Sequence, residues 1–176
     1  PQYISDLISW AAIGARTAES QTHRSLASGL SMPVGFKNGT GGNLNLAVNA
    51  INAAQHSSSF IGIDQKGNTC IIRTNGNDSC HLILRGGTSG PNYYEEDVEE
   101  SVRLMEEANI KNPAVIIDCS HANSGKKHTR QKRVLRSVID QILHGQKCIA
   151  GVMIESNLLE GNQKFSGSFE NIKYGV

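Results

Sequence analysis

The chain has 176 residues, with 17 Lys+Arg against 16 Asp+Glu and a formal net charge of +1. That length suits one domain with a sizeable core, but it falls short of a complete (β/α)8 barrel, which takes about 250 residues. Charged residues make up 19%, too few for a highly charged disordered chain. The near-neutral balance argues against a general nucleic-acid binder, and no apolar run approaches the ~18 residues of a membrane span.

The chain opens on Pro1, with neither Met nor a signal-like pattern, and reads as a fragment or a processed product. The first apolar run covers 10–15 and ends on Arg16. Thr17 offers an N-cap with Glu19 in the first turn, so a helix is expected from 17 to about 30. Residues 32–36 form a second strand, ending on Lys37, and a Gly-rich turn follows at 38–42. The next helix carries Leu44, Val48, Ile51 and Gln55 on one face, with Ala47, Ala50 and Ala54 beside it. Runs at 60–63 and 70–73 around a Gly-Asn turn read as a β-hairpin.

Residues 81–84 form a strand ending on Arg85, before Gly86-Gly87. A helix over 93–109 has Asn92 as its cap, Glu95, Glu96 and Asp97 in its first turn, and a seam of Tyr94, Val98, Val102 and Met105. The strand 114–117 leads into Asp118-Cys119-Ser120-His121. A basic stretch at 125–133 reads as a solvated loop and helix start. The helix from about 130 to 144 turns Val134, Leu135, Val138, Ile139, Ile142 and Leu143 inward and stops at Gly145. The last strand, 149–154, ends on Glu155, and a polar, turn-rich tail follows. Cysteines 70, 80, 119 and 148 form no C-x-x-C and read as reduced, largely buried thiols of a cytoplasmic protein.

Strands alternate with helices, and the strands are continuous apolar runs, which indicates an α/β fold with parallel strands buried on both faces. In such folds the active site lies at the carboxyl ends of the strands. Those ends carry Arg16, Lys37, Arg85, Asp118 with His121, and Glu155. Cations converging on one mouth repel each other unless an anion joins them, so the pattern implies a site for phosphate or carboxylate. His121 and Glu155 suit two ligands of a divalent metal, a general acid/base pair or a structural hydrogen bond. The remaining histidines, 23, 56, 81, 128 and 144, read as surface or helix-end residues.

Taken together, the strand-end motifs resemble the class I 3-deoxy-D-arabino-heptulosonate-7-phosphate (DAHP) synthases. They are Gly14-Ala15-Arg16-Thr17, Pro33-Val34-Gly35-Phe36-Lys37-Asn38-Gly39-Thr40, Leu84-Arg85-Gly86-Gly87, Asp118-Cys119-Ser120-His121-Ala122-Asn123-Ser124 and Gly151-Val152-Met153-Ile154-Glu155-Ser156-Asn157. Glu160-Gly161-Asn162-Gln163 and Lys173-Tyr174-Gly175-Val176 match as well. The resemblance runs in order over 1–176. It implies a (β/α)8 TIM barrel, of which this chain is a partial barrel domain covering about strands 4 to 8 plus an inserted β-hairpin.

It further implies condensation of phosphoenolpyruvate with erythrose 4-phosphate, the first step of the shikimate pathway. By the family's motifs, Arg16, Lys37 and Arg85, with the Ala15 backbone, hold phosphoenolpyruvate. Lys37 and His121 are catalytic. His121 and Glu155 are two of four ligands of Mn²⁺, Fe²⁺ or Co²⁺, and Pro1, Gln2 and Ser31 line a pocket for an aromatic amino acid effector. A homodimer or homotetramer is implied, with no nucleic-acid or membrane partner. Gly41, Ser25 and Asp64-Gln65 depart from the family pattern. The family's remaining metal ligands match no position here, so the isolated chain is expected to be inactive and poorly folded. The rival readings are 3-deoxy-manno-octulosonate 8-phosphate synthase and a truncated, non-catalytic phosphate-binding copy.

Overall fold

The structure is a computed structural model that describes residues 4–176. Strands β1 (Ala11–Ile13), β2 (Val34–Lys37), β5 (Cys80–Leu84), β6 (Val115–Asp118) and β7 (Ile149–Met153) form one sheet in the order β1-β2-β5-β6-β7. Each neighbouring pair is parallel. Successive strands lie side by side in chain order, which is the wall of a barrel and not the reversing order of a doubly wound sheet. Strands β3 (Ser59–Ile63) and β4 (Thr69–Arg73) stand apart as an antiparallel hairpin. The hairpin's turn is held by Asp64, whose Oδ1 accepts from the Lys66 and Asn68 amides at 2.8 Å.

Helices α1 (Gln21–Ala27), α2 (Leu44–Gln55), α3 (Glu95–Glu107) and α4 (Gln131–Leu143) supply the connections. One face of the sheet, built from Val34, Phe36, Leu82, Leu84, Val115 and Ile117, is buried with Val48 and Ile51 of α2, Val98 and Met105 of α3, and Val134 and Val138 of α4. Each such side chain removed from water contributes about 1.5–3 kcal/mol. The strand pairing aligns Lys37 with Ile83 and Ile83 with Ile116. Since side chains alternate along a strand, Gly35, Lys37, His81, Ile83, Ile116 and Asp118 share the opposite face. The sheet therefore has an apolar, helix-covered side and a side that leads to the polar strand ends.

Several expectations need correction. Residues 15–19 are turn, and α1 begins at Gln21, because the Thr17 hydroxyl donates back to the Gly14 carbonyl at 3.1 Å. Asn92 does not cap α3. Tyr94 is the N-cap, so its ring lies outside the apolar seam and stays exposed, and the backbone N–H of Tyr94 donates to Asp97 Oδ2 at 3.1 Å. On α4 the buried stripe is Gln131, Val134, Val138 and Gln141, leaving Ile139, Ile142 and Leu143 exposed. A helix meeting a sheet covers only a narrow stripe, and two glutamines occupy places in it. His81 is buried, not a surface residue: its Nε2 accepts from Trp10 Nε1 at 3.0 Å. Cys80 and Cys119 are buried, whereas Cys70 and Cys148 are half-buried. No helix among the described residues is long and apolar enough to cross a membrane.

Candidate active site

Parallel strands deliver their last residues to one end of the sheet. Lys37 closes β2 and Asp118 closes β6, with β5 lying between them. The lysine side chain crosses the width of β5, and its Nζ donates to Asp118 Oδ2 at 2.7 Å. Asp118 is fully buried and the Lys37 side chain nearly so, at 12% exposure. A buried carboxylate needs partners for each oxygen, and Asp118 has them: Oδ1 accepts from the Ser120 amide at 2.9 Å. The expectation of mutually repelling cations is thereby modified, since the protein itself supplies the counter-charge for Lys37. Arg16 and Arg85 have no carboxylate partner among the described ion pairs.

After β6 the chain turns sharply, with His121 at φ 49°, a conformation uncommon for a residue other than glycine. The turn places His121 Nε2 at 3.4 Å from Asp118 Oδ2 and 3.0 Å from Glu155 Oε1. The other oxygen of Glu155 accepts from the Ser120 hydroxyl at 3.1 Å. The Glu155 backbone is gripped at both peptide groups by one side chain. Gln131 Nε2 donates to Glu155 O at 2.6 Å, and Glu155 N donates to Gln131 Oε1 at 2.9 Å. Gln131 is buried on the first turn of α4, so the helix fixes where the strand end carries its carboxylate.

Asp118, His121 and Glu155 bring one ligand atom each to within 4.8 Å of one another. A single ion bound at about 2.1 Å by two ligands roughly at right angles separates them by about 3 Å, and the observed His121–Glu155 spacing is 3.0 Å. An imidazole with a carboxylate suits borderline divalent ions. Asp118 Oδ2 is already taken by Lys37 and lies 3.4 Å from the same His121 Nε2 that faces Glu155. Cys119, next in sequence to Asp118, turns into the apolar core, where burial first and the Asp118 charge second push its thiol up to about 11, so it stays protonated.

The structure thus brings Lys37, His121 and Glu155 into one cluster with Asp118, and adds Ser120 and Gln131 as partners that the sequence pattern did not single out. Asp118 stood at a strand end in the sequence, but its pairing with Lys37 depends on β5 lying between their strands. Ala15 and Arg16 lie on the turn after β1 at the same end of the sheet, with Arg16 exposed. Arg85 follows β5, half-buried, and its Nη1 donates to the Gly86 carbonyl at 3.3 Å. Ser31 is not at this end. It lines a cavity of about 350 Å³ with Leu26, Leu30, Phe60, Ile72 and Thr74, between α1 and the hairpin. Pro1 and Gln2 lie outside the described residues.

Comparison with known proteins gives the family and the fold. The chain is 53% identical over 176 residues to the Tyr-sensitive phospho-2-dehydro-3-deoxyheptonate aldolases of Enterobacter agglomerans and Escherichia coli K12, with all of this chain covered. It spans 82% of the first relative and 49% of the second. The solved phospho-2-dehydro-3-deoxyheptonate aldolase of Francisella tularensis SCHU S4 superposes on 99% of the chain with a TM-score of 0.93 and 48% identity. The chain covers half of that structure, in keeping with a partial TIM barrel. The model of the DAHP synthetase I family matches residues 1–176, and the chain belongs to that family.

Proposed function

We propose that the protein carrying this chain condenses phosphoenolpyruvate with erythrose 4-phosphate, giving DAHP and inorganic phosphate. The observation that supports this most is the cluster of Lys37, Asp118, His121 and Glu155 at the strand ends, in a chain whose relatives bear that activity's name. Arg16 and Arg85, with the Ala15 backbone, would hold phosphoenolpyruvate through its charged oxygens, the arginine fork suiting phosphate and carboxylate alike. Lys37, neutralised by Asp118, offers N–H donors to the same substrate at the centre of the rim. His121 and Glu155 would hold a divalent ion such as Mn²⁺, Fe²⁺ or Co²⁺. That ion, when bound, supplies Lewis acidity toward the aldehyde oxygen of erythrose 4-phosphate. Gln131 keeps Glu155 at its distance from His121.

Regulation by an aromatic amino acid fits the cavity at Ser31, which offers the Phe60 ring and the Ile72 side chain as apolar walls. The Tyr-sensitive relatives support that class of effector. As for the extent of the domain, residues 1–176 form the part of a barrel domain that carries its later strands.

The test is a steady-state assay of the full-length protein, following phosphoenolpyruvate consumption and phosphate release. Erythrose 4-phosphate and arabinose 5-phosphate are compared, with chelator and then with Mn²⁺ restored. Turnover with erythrose 4-phosphate that returns with Mn²⁺ is expected. Turnover with arabinose 5-phosphate alone would assign the octulosonate synthase reaction instead. Binding of phosphoenolpyruvate without turnover on either sugar would assign a non-catalytic copy.

A further inference from the structure

The backbone around Arg85 is held in an unusual way. Of the five polar backbone groups from Leu84 O to Gly86 O, four each meet an asparagine side chain. Leu84 O accepts from Asn123 Nδ2 at 3.1 Å. Arg85 N donates to Asn38 Oδ1 at 2.9 Å, Gly86 N donates to Asn92 Oδ1 at 2.6 Å, and Gly86 O accepts from Asn38 Nδ2 at 3.1 Å.

The three asparagines are joined to each other. Asn92 Nδ2 donates to Asn38 Oδ1 at 3.2 Å, and the Asn92 backbone N–H donates to Asn123 Oδ1 at 2.9 Å. They also reach the other site residues. Asn38 directly follows Lys37 and bonds Gly39 O at 2.9 Å, while Asn123 Nδ2 bonds Asp118 O at 2.8 Å. Asn38 and Asn123 are fully buried and Asn92 is 9% exposed. Gly86 fits because it has no side chain. At φ 72°, a Cβ would stand 2.7 Å from Ala122 Cβ and 2.9 Å from Asn123 Oδ1.

We infer that Asn38, Asn92 and Asn123 form a positioning relay of side-chain amides that sets the Arg85 guanidinium relative to Lys37 and to the Asp118–His121 turn. Strand ladders stop at the rim; farther out the loops that follow β2 and β5 meet where Thr88 N donates to Thr40 O at 3.2 Å, beyond the segment that carries Arg85. A satisfied network of buried amides replaces the ladder there and rigidifies what it joins. Its chemical purpose is to hold a bidentate cation at the distance from Lys37 that one phosphoenolpyruvate anion requires, so that no orientation has to be found on binding. This rests on the assignment of Arg85 and Lys37 to phosphoenolpyruvate made above.

The experiment uses full-length protein with Mn²⁺ present. The Kd of phosphoenolpyruvate is measured by calorimetry, together with KM, kcat and thermal stability, for wild type, Asn92→Ala and Asn77→Ala. Asn77 is the control. It is a buried asparagine at the opposite end of the sheet, bonding Ala27 O and Met32 O at 3.2 and 3.0 Å. Asn77→Ala should lower the melting temperature and leave Kd and KM within twofold of wild type. Asn92→Ala should raise both Kd and KM for phosphoenolpyruvate by about tenfold or more, with a smaller change in kcat. Its Mn²⁺ affinity should not change, because Asn92 touches none of Asp118, His121 and Glu155. Asn92→Ser, too short to reach the Gly86 amide, carries the same expectation should the alanine variant not fold.

If the Asn92 variants behave like Asn77→Ala, losing stability with Kd and KM unmoved, the relay is overturned while the activity stands. If neither Asn92 variant folds while Asn77→Ala does, it is overturned too, because the amides then hold the fold and not the substrate. A wild type that neither binds phosphoenolpyruvate nor turns over sinks the functional assignment itself, and the relay with it.

Discussion

Replacing Asp118 by Asn keeps the shape of a fully buried side chain and removes its charge. At the 2.7 Å separation of Lys37 Nζ and Asp118 Oδ2, the lost attraction is about 6 kcal/mol for an effective dielectric of about 20. The net effect is smaller, because Asn keeps one carbonyl oxygen that accepts from either the Ser120 amide or Lys37, and because Lys37 retains some access to water. Removing one partner of a buried pair costs about 3–5 kcal/mol, and the retained acceptor puts Asp118→Asn at about 3 kcal/mol. The deciding measurement is a double-mutant cycle by chemical denaturation of the full-length protein. Asp118→Asn strands a buried ammonium, whereas Lys37→Met with Asp118→Asn removes both charges, so the double variant should regain at least about half of the loss. A single-variant loss below about 1 kcal/mol, or strict additivity in the double, would refute the view of Lys37 and Asp118 as a buried, mutually dependent pair.

Gln131→Leu removes both bonds to the Glu155 backbone while keeping the α4 stripe apolar. It should weaken Mn²⁺ binding by about 10–100-fold in a calorimetric titration, and a change under twofold in a folded variant would show that Gln131 does not set the carboxylate. Trp10 is the one tryptophan in the chain and donates to His81 Nε2. Burial lowers the His81 pKa below 6.5, so the unfolded state takes up the proton first. Stability should therefore fall as pH drops through about 6.5 and level off once the folded imidazole also protonates. A pH titration of Trp10 fluorescence should report a midpoint below 6.5, and a midpoint at or above it contradicts the buried pair. Gly86→Ala combines an unfavourable φ of 72° with contacts under 3 Å. It should destabilise the protein by at least about 1 kcal/mol in chemical denaturation, and a neutral result would mean that the Arg85 loop is free to shift.

Much of the fold was legible in the sequence because the signals are local. Apolar runs at Val34, Phe36, Leu82, Leu84, Val115 and Ile117, each followed by a polar residue, specify buried parallel strands ending at a common rim. The family motifs covered the same positions. What was hidden depends on pairs distant along the chain. The partnership of Lys37 with Asp118 spans 81 residues and follows only from strand order. His81 looked like a surface histidine until Trp10, 71 residues earlier, closed over it. Periodicity points to the wrong stripe on α4, because Ile139, Ile142 and Leu143 are apolar yet face away, while Gln131 and Gln141 face inward to serve the Glu155 and Tyr93 backbones. Periodicity counts hydrophobicity and is blind to a glutamine whose amide has a backbone to bind. The asparagines at 38, 92 and 123 look like ordinary turn residues in a linear reading, for the same reason.

Gly35 occupies the middle of the polar side of the sheet by leaving it empty. A single methyl group there would stand 2.4 Å from Ile83 Cδ1 and 2.9 Å from His81 Nε2. Ile83 is paired with Lys37 along the sheet, and His81 is the acceptor for Trp10. One added carbon would thus press in two directions at once, on the strand that Lys37 must cross and on the indole–imidazole contact at the far end. The two ends of this surface are geared together through a gap, and the smallest substitution in the chain would be felt at both.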